Sequence, residues 1–157
     1  MWRTVRVKPS SPLVRMMSSS SAQPVAITNA QLRVKSSDLA SAISTDSQDA
    51  FPNVFATARL VALMEIASAR ALIPLLQPGQ LSVGVSIDMT HSGPTPPGAE
   101  VTATATYVGK DQKLYVFDVV AKDEGGEVGK AVHRRAIVNA ERLEQGAKKR
   151  VSAAGGN

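Results

Sequence analysis

The stretch Ala58 to Ile73 reads ARLVALMEIASARALI, and its composition decides how the rest of the chain must be arranged. Twelve of its sixteen residues are apolar, and only Arg59, Glu65, Ser68 and Arg70 interrupt it. A surface helix would show a wide polar face, so a helix apolar nearly all round belongs inside a wrapping structure. Thr57 stands where an N-cap hydroxyl would, after the turn Phe51-Pro52-Asn53, and Pro74 with the Pro78-Gly79 pair ends the segment. The spacing predicts a long helix, largely buried.

Downstream, four segments carry strand patterns separated by turn signals. Ser82 to Thr90 sets Val83, Val85, Ile87 and Met89 against Ser82, Gly84, Ser86 and Asp88. Glu100 to Val108 sets Val101, Ala103, Ala105 and Tyr107 against three threonines, and Lys113 to Lys122 and Glu127 to Asn139 follow tight turns. Upstream, Gln31 to Lys35 reads as a first strand before a polar stretch that runs to Asp49. Short turns make sequential strands antiparallel neighbours, and a single curved sheet needs a cover for its inner face. The expected class is α+β, with an antiparallel sheet wrapped around one long central helix over residues 31–142. Such a sheet leaves an edge that a second copy can pair with, so a homodimer or larger homo-oligomer is expected. Residues 1–30 read as a separate N-terminal segment and residues 143–157 as a disordered tail.

At 157 residues the chain holds one domain with a real core, and the absence of cysteine excludes disulfides, thiolate metal sites and cysteine nucleophiles. The net charge of +5 is unevenly placed: residues 1–37 carry Arg3, Arg6, Lys8, Arg15, Arg33 and Lys35 and no acid, which leaves the remainder close to neutral. With aromatic residues at 4% there is no stacking platform either, so nucleic acid is set aside as a partner. No run of 18 apolar residues occurs, which excludes a membrane-spanning helix. The first 30 residues are rich in Arg and Ser, free of Asp and Glu, and lack a continuous apolar segment, a transit-peptide composition that predicts a mitochondrial location. A basic tail is the alternative reading. Pro9 and Pro12 count against an amphipathic import helix, and Met16 or Met17 offers a second start that yields a cytosolic form.

Glu65 is the residue in the helix that most needs a reason. It sits roughly 120° to 140° around the helix from Arg59 and Arg70, so neither neutralises it locally. A carboxylate among Val61, Ala62, Ser68 and Ala69 must be paired from elsewhere in the fold, hydrogen-bonded or protonated, and such carboxylates cluster at functional sites. A cross-subunit ion pair or a single exposed spot is the structural alternative. His91 ends the first long strand, just before the Pro-rich loop Ser92 to Gly98, and imidazole suits proton transfer near neutrality. A satisfied turn histidine would look the same. His133 shares a strand face with Arg135 and Ile137 and reads as structural or as a polar wall. Gly84 interrupts a good strand, which marks a bulge or a close approach. No Gly-rich phosphate loop, metal-ligand spacing, serine-nucleophile elbow or dinucleotide fingerprint occurs, so neither cofactor nor metal is expected.

The sequence resembles the fluoroacetyl-CoA thioesterase-like branch of the hotdog-fold superfamily. The resemblance is carried by Phe51-Pro52-Asn53-Val54-Phe55-Ala56-Thr57, by Leu60-Val61-Ala62-Leu63-Met64-Glu65, by Gly84, and by Thr90-His91 with Thr95-Pro96-Pro97-Gly98-Ala99-Glu100-Val101. Weaker agreement reaches His133-Arg134-Arg135, and the whole spans roughly residues 50–140. It implies a hotdog fold and hydrolysis of an acyl-CoA thioester, with Thr57, Glu65 and His91 as catalytic residues. It also implies Gly84 near the thioester carbonyl, Phe51 as an aromatic gate over the acyl pocket, and Leu60, Val61 and Met64 shaping that pocket. Thioester hydrolysis needs a nucleophile or activated water, an oxyanion stabiliser and a proton donor for the thiol, and this residue set can supply them. Residues 38–50 show no clear match to the lid of the fluoroacetate-specific members, which favours short or small acyl groups more broadly. The competing readings are a non-catalytic acyl-CoA-binding hotdog protein and an enoyl-thioester hydratase. Retention of all three polar positions speaks against the first, and the lack of the hydratase Asp-His pairing against the second.

Overall fold

A computed structural model describes residues 22–154. Five strands and two helices appear in the order β1 (Ile27–Arg33), α1 (Thr57–Leu72), β2 (Gln80–His91), β3 (Glu100–Asp111), β4 (Leu114–Asp123), β5 (Gly126–Asn139) and α2 (Ala140–Ala154). The strands form one antiparallel sheet in the order β1-β3-β4-β5-β2, curled around α1. This is the hotdog layout expected from the alternation of strand and helix periods.

The core forms where small strand residues let the helix come close. Ala30, Val101, Ala103, Ala105, Phe117, Val119, Ala121 and Ala131 line the inner face and meet Leu60, Leu63, Met64, Ala67, Ala71 and Leu72 of α1. The helix is buried on this stripe only: Ile66 is 47% exposed, Ala58 is exposed, and Val61, Ala62 and Ala69 are half-buried. The expectation of a helix buried nearly all round therefore fails within a single chain, because the sheet covers one side and leaves an apolar side open.

Three local expectations are also corrected. The first strand begins at Ile27 and ends at Arg33, ahead of the predicted Gln31–Lys35, because its register is set by pairing with β3 from Ile27↔Thr106 to Arg33↔Glu100. Only Ala30 is buried along it, so the strand leaves little hydrophobic signal, and the folded unit starts before residue 31. Residues 1–21, which hold most of the transit-peptide composition, lie outside the described residues. The predicted disordered tail 143–157 is helical as far as Ala154: Asn139 Oδ1 accepts from the Arg142 N–H, Glu141 sits in the first turn, and Gln145 reaches back to Glu141. Finally, the N-cap of α1 is Ala56, with Thr57 the first helical residue, and no side chain caps the turn. Ala56 is held there by its N–H bond to the Asp38 carbonyl, which frees the Thr57 hydroxyl for another partner.

Candidate active site

The polar stretch before α1 folds into a flap. Leu39 bridges Phe55, and the Ala40 and Ser41 N–H groups donate to the carbonyls of Val54 and Pro52. Arg59 ties the flap base to the helix through Asp38 at 3.5 Å and the Ser37 carbonyl. The flap overhangs the N-terminus of α1 and the end of β2. Between them lies a cleft of about 400 Å³ whose walls include Ile43, Phe51, Val54, Thr57, His91 and Pro94.

Two of the three expected catalytic residues meet in this cleft. Thr57 Oγ1 lies 2.9 Å from His91 Nδ1, a hydrogen bond between the helix start and the strand end. His91 Nε2 is buried and makes no hydrogen bond within the described residues. Burial lowers the His91 pKa from 6.5, partly offset by the Gly93 carbonyl, so the ring is held toward its neutral form. Phe51, 48% exposed, stands at the same cleft, as a gate residue would.

Glu65 belongs to a second cluster. Its Oε1 lies 3.4 Å from an Arg135 guanidinium nitrogen and 3.7 Å from His133 Nε2, both reaching from the inner face of β5. Arg135 is anchored in turn by the Ser82 hydroxyl and carbonyl on β2. Burial lowers the Arg135 pKa and the Glu65 carboxylate draws it back up. The carboxylate is thus paired from elsewhere in the fold, as its isolation from Arg59 and Arg70 required. Gly84 makes room for it: a Cβ there would overlap Glu65 Oε1 and stand 3.1 Å from His133 Nε2. The pairing register of β2 with β5 shifts between Gly84 and Ser86, the bulge that the glycine predicts.

Within one chain, among the described residues, no contact joins Thr57 and His91 to Glu65. The expected convergence of all three around one ester is therefore not made by a single protomer, since eight residues of helix separate Thr57 from Glu65 by about 12 Å of rise. Two pocket residues are corrected as well. Leu60 and Met64 are 0% exposed and point into the sheet as core, whereas half-buried Val61 lies on the open side of α1 with Glu65. Sequence reasoning missed Arg135 as the partner of Glu65, although its place two residues after His133 on an alternating strand puts both on one inward face. It also missed the flap walls Ile43 and Val54, whose stretch carries no periodic pattern.

Comparison with known proteins bears on the same region. The family model described as fluoroacetyl-CoA-specific thioesterase matches residues 34–141, a span that includes the 38–50 stretch lacking a clear lid motif. The fluoroacetyl-CoA thioesterase of Streptantibioticus cattleyicolor is 42% identical over 93 residues, covering 59% of this chain and 67% of that protein. A threonine-to-serine variant of the fluoroacetyl-CoA thioesterase FlK, solved in complex with acetyl-CoA, superposes with a TM-score of 0.76 at 30% identity, covering 82% of this chain and 98% of that one. A Thermus thermophilus thioesterase superfamily member shares the fold, with a TM-score of 0.72 at 20% identity over 85% of this chain and 97% of that one. Curled sheet, central helix, cleft and family match agree, and the chain belongs to the fluoroacetyl-CoA-specific thioesterase family as a thioester hydrolase of the hotdog fold.

Proposed function

We propose that the protein hydrolyses short or small acyl-CoA thioesters to the free acid and CoA in a homodimer whose two active sites each draw on both chains. The observation that carries this reading is the Thr57–His91 hydrogen bond at the wall of an apolar cleft sized for a small acyl group. In it, water adds to the thioester carbonyl as Glu65 orients it and takes its proton. His91 receives that proton from Glu65 and passes it to the departing sulfur as the C–S bond breaks, which returns both side chains to their starting forms, and Thr57 holds the imidazole. The α1 N-terminus lends partial positive charge to the developing oxyanion, and the backbone beside Gly84 lies close to the carboxylate that acts on the carbonyl.

Dimer formation is supported by an open edge and an open face on the same side of the molecule. β2 is an edge strand of twelve residues with Val85 53% exposed, and the uncovered side of α1 presents Ala58, Val61, Ala62, Ile66 and Ala69. Two-fold antiparallel pairing of β2 with its copy sets the Gln80 end of one strand beside the His91 end of the other. That exchange carries the Glu65 cluster of one protomer toward the Thr57–His91 pair of the other. Residues 1–30 support a mitochondrial location, with a cytosolic form starting at Met16 or Met17.

Thiol release from a panel of acyl-CoAs, read alongside enoyl absorbance, separates hydrolysis from hydration and from simple binding. Glu65→Gln and His91→Ala should each lower kcat about 10²-fold. Mixing these two slowed variants should regain activity, because one site of every mixed dimer then holds native Glu65, Thr57 and His91. No recovery in demonstrably mixed dimers overturns the shared-site arrangement.

A further inference from the structure

We infer that His133 is a positioning residue: it and Arg135 seat one oxygen of the Glu65 carboxylate against β2, leaving the other oxygen free to face the reacting centre. This deepens the hydrolase reading and rests on it. His133 is 1% exposed, on the inner face of β5 between Ala131 and Arg135, with Phe117 and Ile87 as its ladder partners. Its Nδ1 is buried and has no hydrogen-bond partner among the described residues, so the ring costs stability that a phenyl ring in the same place would not. Its Nε2 instead faces Glu65 Oε1 at 3.7 Å, and the tautomer compatible with a carboxylate there carries its proton on Nε2.

The two β5 side chains address the same atom. Arg135 reaches Oε1 at 3.4 Å, and Gly84 supplies the space into which that oxygen fits. Oε2 has no partner among the described residues. A single guanidinium contact would let a glutamate side chain, 44% exposed, rotate about its terminal torsions, whereas a second polar neighbour at another angle limits it to one orientation. Burial, and then the charge of Arg135, pushes the His133 pKa down to about 4, so the ring stays neutral near pH 7 and offers a dipole that does not protonate the base.

The test uses His133→Phe and His133→Gln in the full chain. His133→Phe should lower kcat about tenfold with KM within about twofold, while the thermal midpoint stays level or rises, as expected for lost orientation at an intact fold. His133→Gln, whose amide nitrogen can take the place of Nε2, should recover most of that kcat. Native kcat in His133→Phe, or equal losses in Phe and Gln, overturns the inference. The hydrolase reading is probed separately by Glu65→Gln: if that variant is inactive and His133→Phe is fully active, only the positioning role falls.

Discussion

Replacing Gly84 with alanine tests the site through one methyl group. The backbone at Gly84 lies outside the left-handed region, so alanine meets no conformational strain there. The new Cβ would overlap Glu65 Oε1 and lie 3.3 Å from its Cδ. Restoring ordinary contact, about 3.5 Å or more, moves the carboxylate by over ~1 Å, away from Arg135 and His133. The atom displaced is the far end of a flexible side chain, 44% exposed, but its partner Arg135 is only 6% exposed and is left with its Ser82 bonds, so losing the pair costs about 1–3 kcal/mol and the fold should not collapse. Catalysis should fall, because ~1 Å of misplacement costs about 10²-fold in rate, equal to about 2.7 kcal/mol of barrier. The assay is steady-state thiol release from acetyl-CoA beside a thermal melt. Native kcat in a folded Gly84→Ala enzyme would refute the claim that Glu65 works from its seat on β2.

Thr95 is fully buried and its hydroxyl donates to Asp123 Oδ2 at 2.7 Å, so Thr95→Val should cost about 1–3 kcal/mol by leaving that oxygen short of a partner, read by urea denaturation. As pH falls from 6.5 toward 4, the unfolded chain takes a proton at His133 that the native ring refuses; melting temperature should therefore drop over that window, and His133→Phe should flatten the drop. The lowered pKa of His91 acts in the same direction, so Phe at 133 leaves a residual slope. Val85→Lys places a charge on the open edge of β2, and under the proposed β2–β2 pairing light scattering should report a shift from dimer to monomer with activity lost in step.

Much of this fold is legible in the chain. An apolar sixteen-residue helix followed by four alternating segments leaves few arrangements other than a sheet around a helix, because hydrophobic period is a local property that needs no knowledge of partners. Glu65 stands out for the same reason, as a charge breaking an apolar pattern, and Gly84 as a gap in a strand. The first strand and α2 were less legible. β1 buries a single residue and is defined by its ladder to β3, while α2 is exposed from Glu141 onward and held by its own caps and pairs.

Composition and periodicity alone thus determined the class, the element order and the residues worth suspecting. Only tertiary structure decided which of them touch. The Thr57 hydroxyl turns to His91 across 34 positions of sequence, and Arg135 reaches Glu65 across 70, distances over which no pattern in the chain records a contact. Sheet curvature and strand register set those meetings, and they divide the suspected residues into two clusters held by opposite ends of β2.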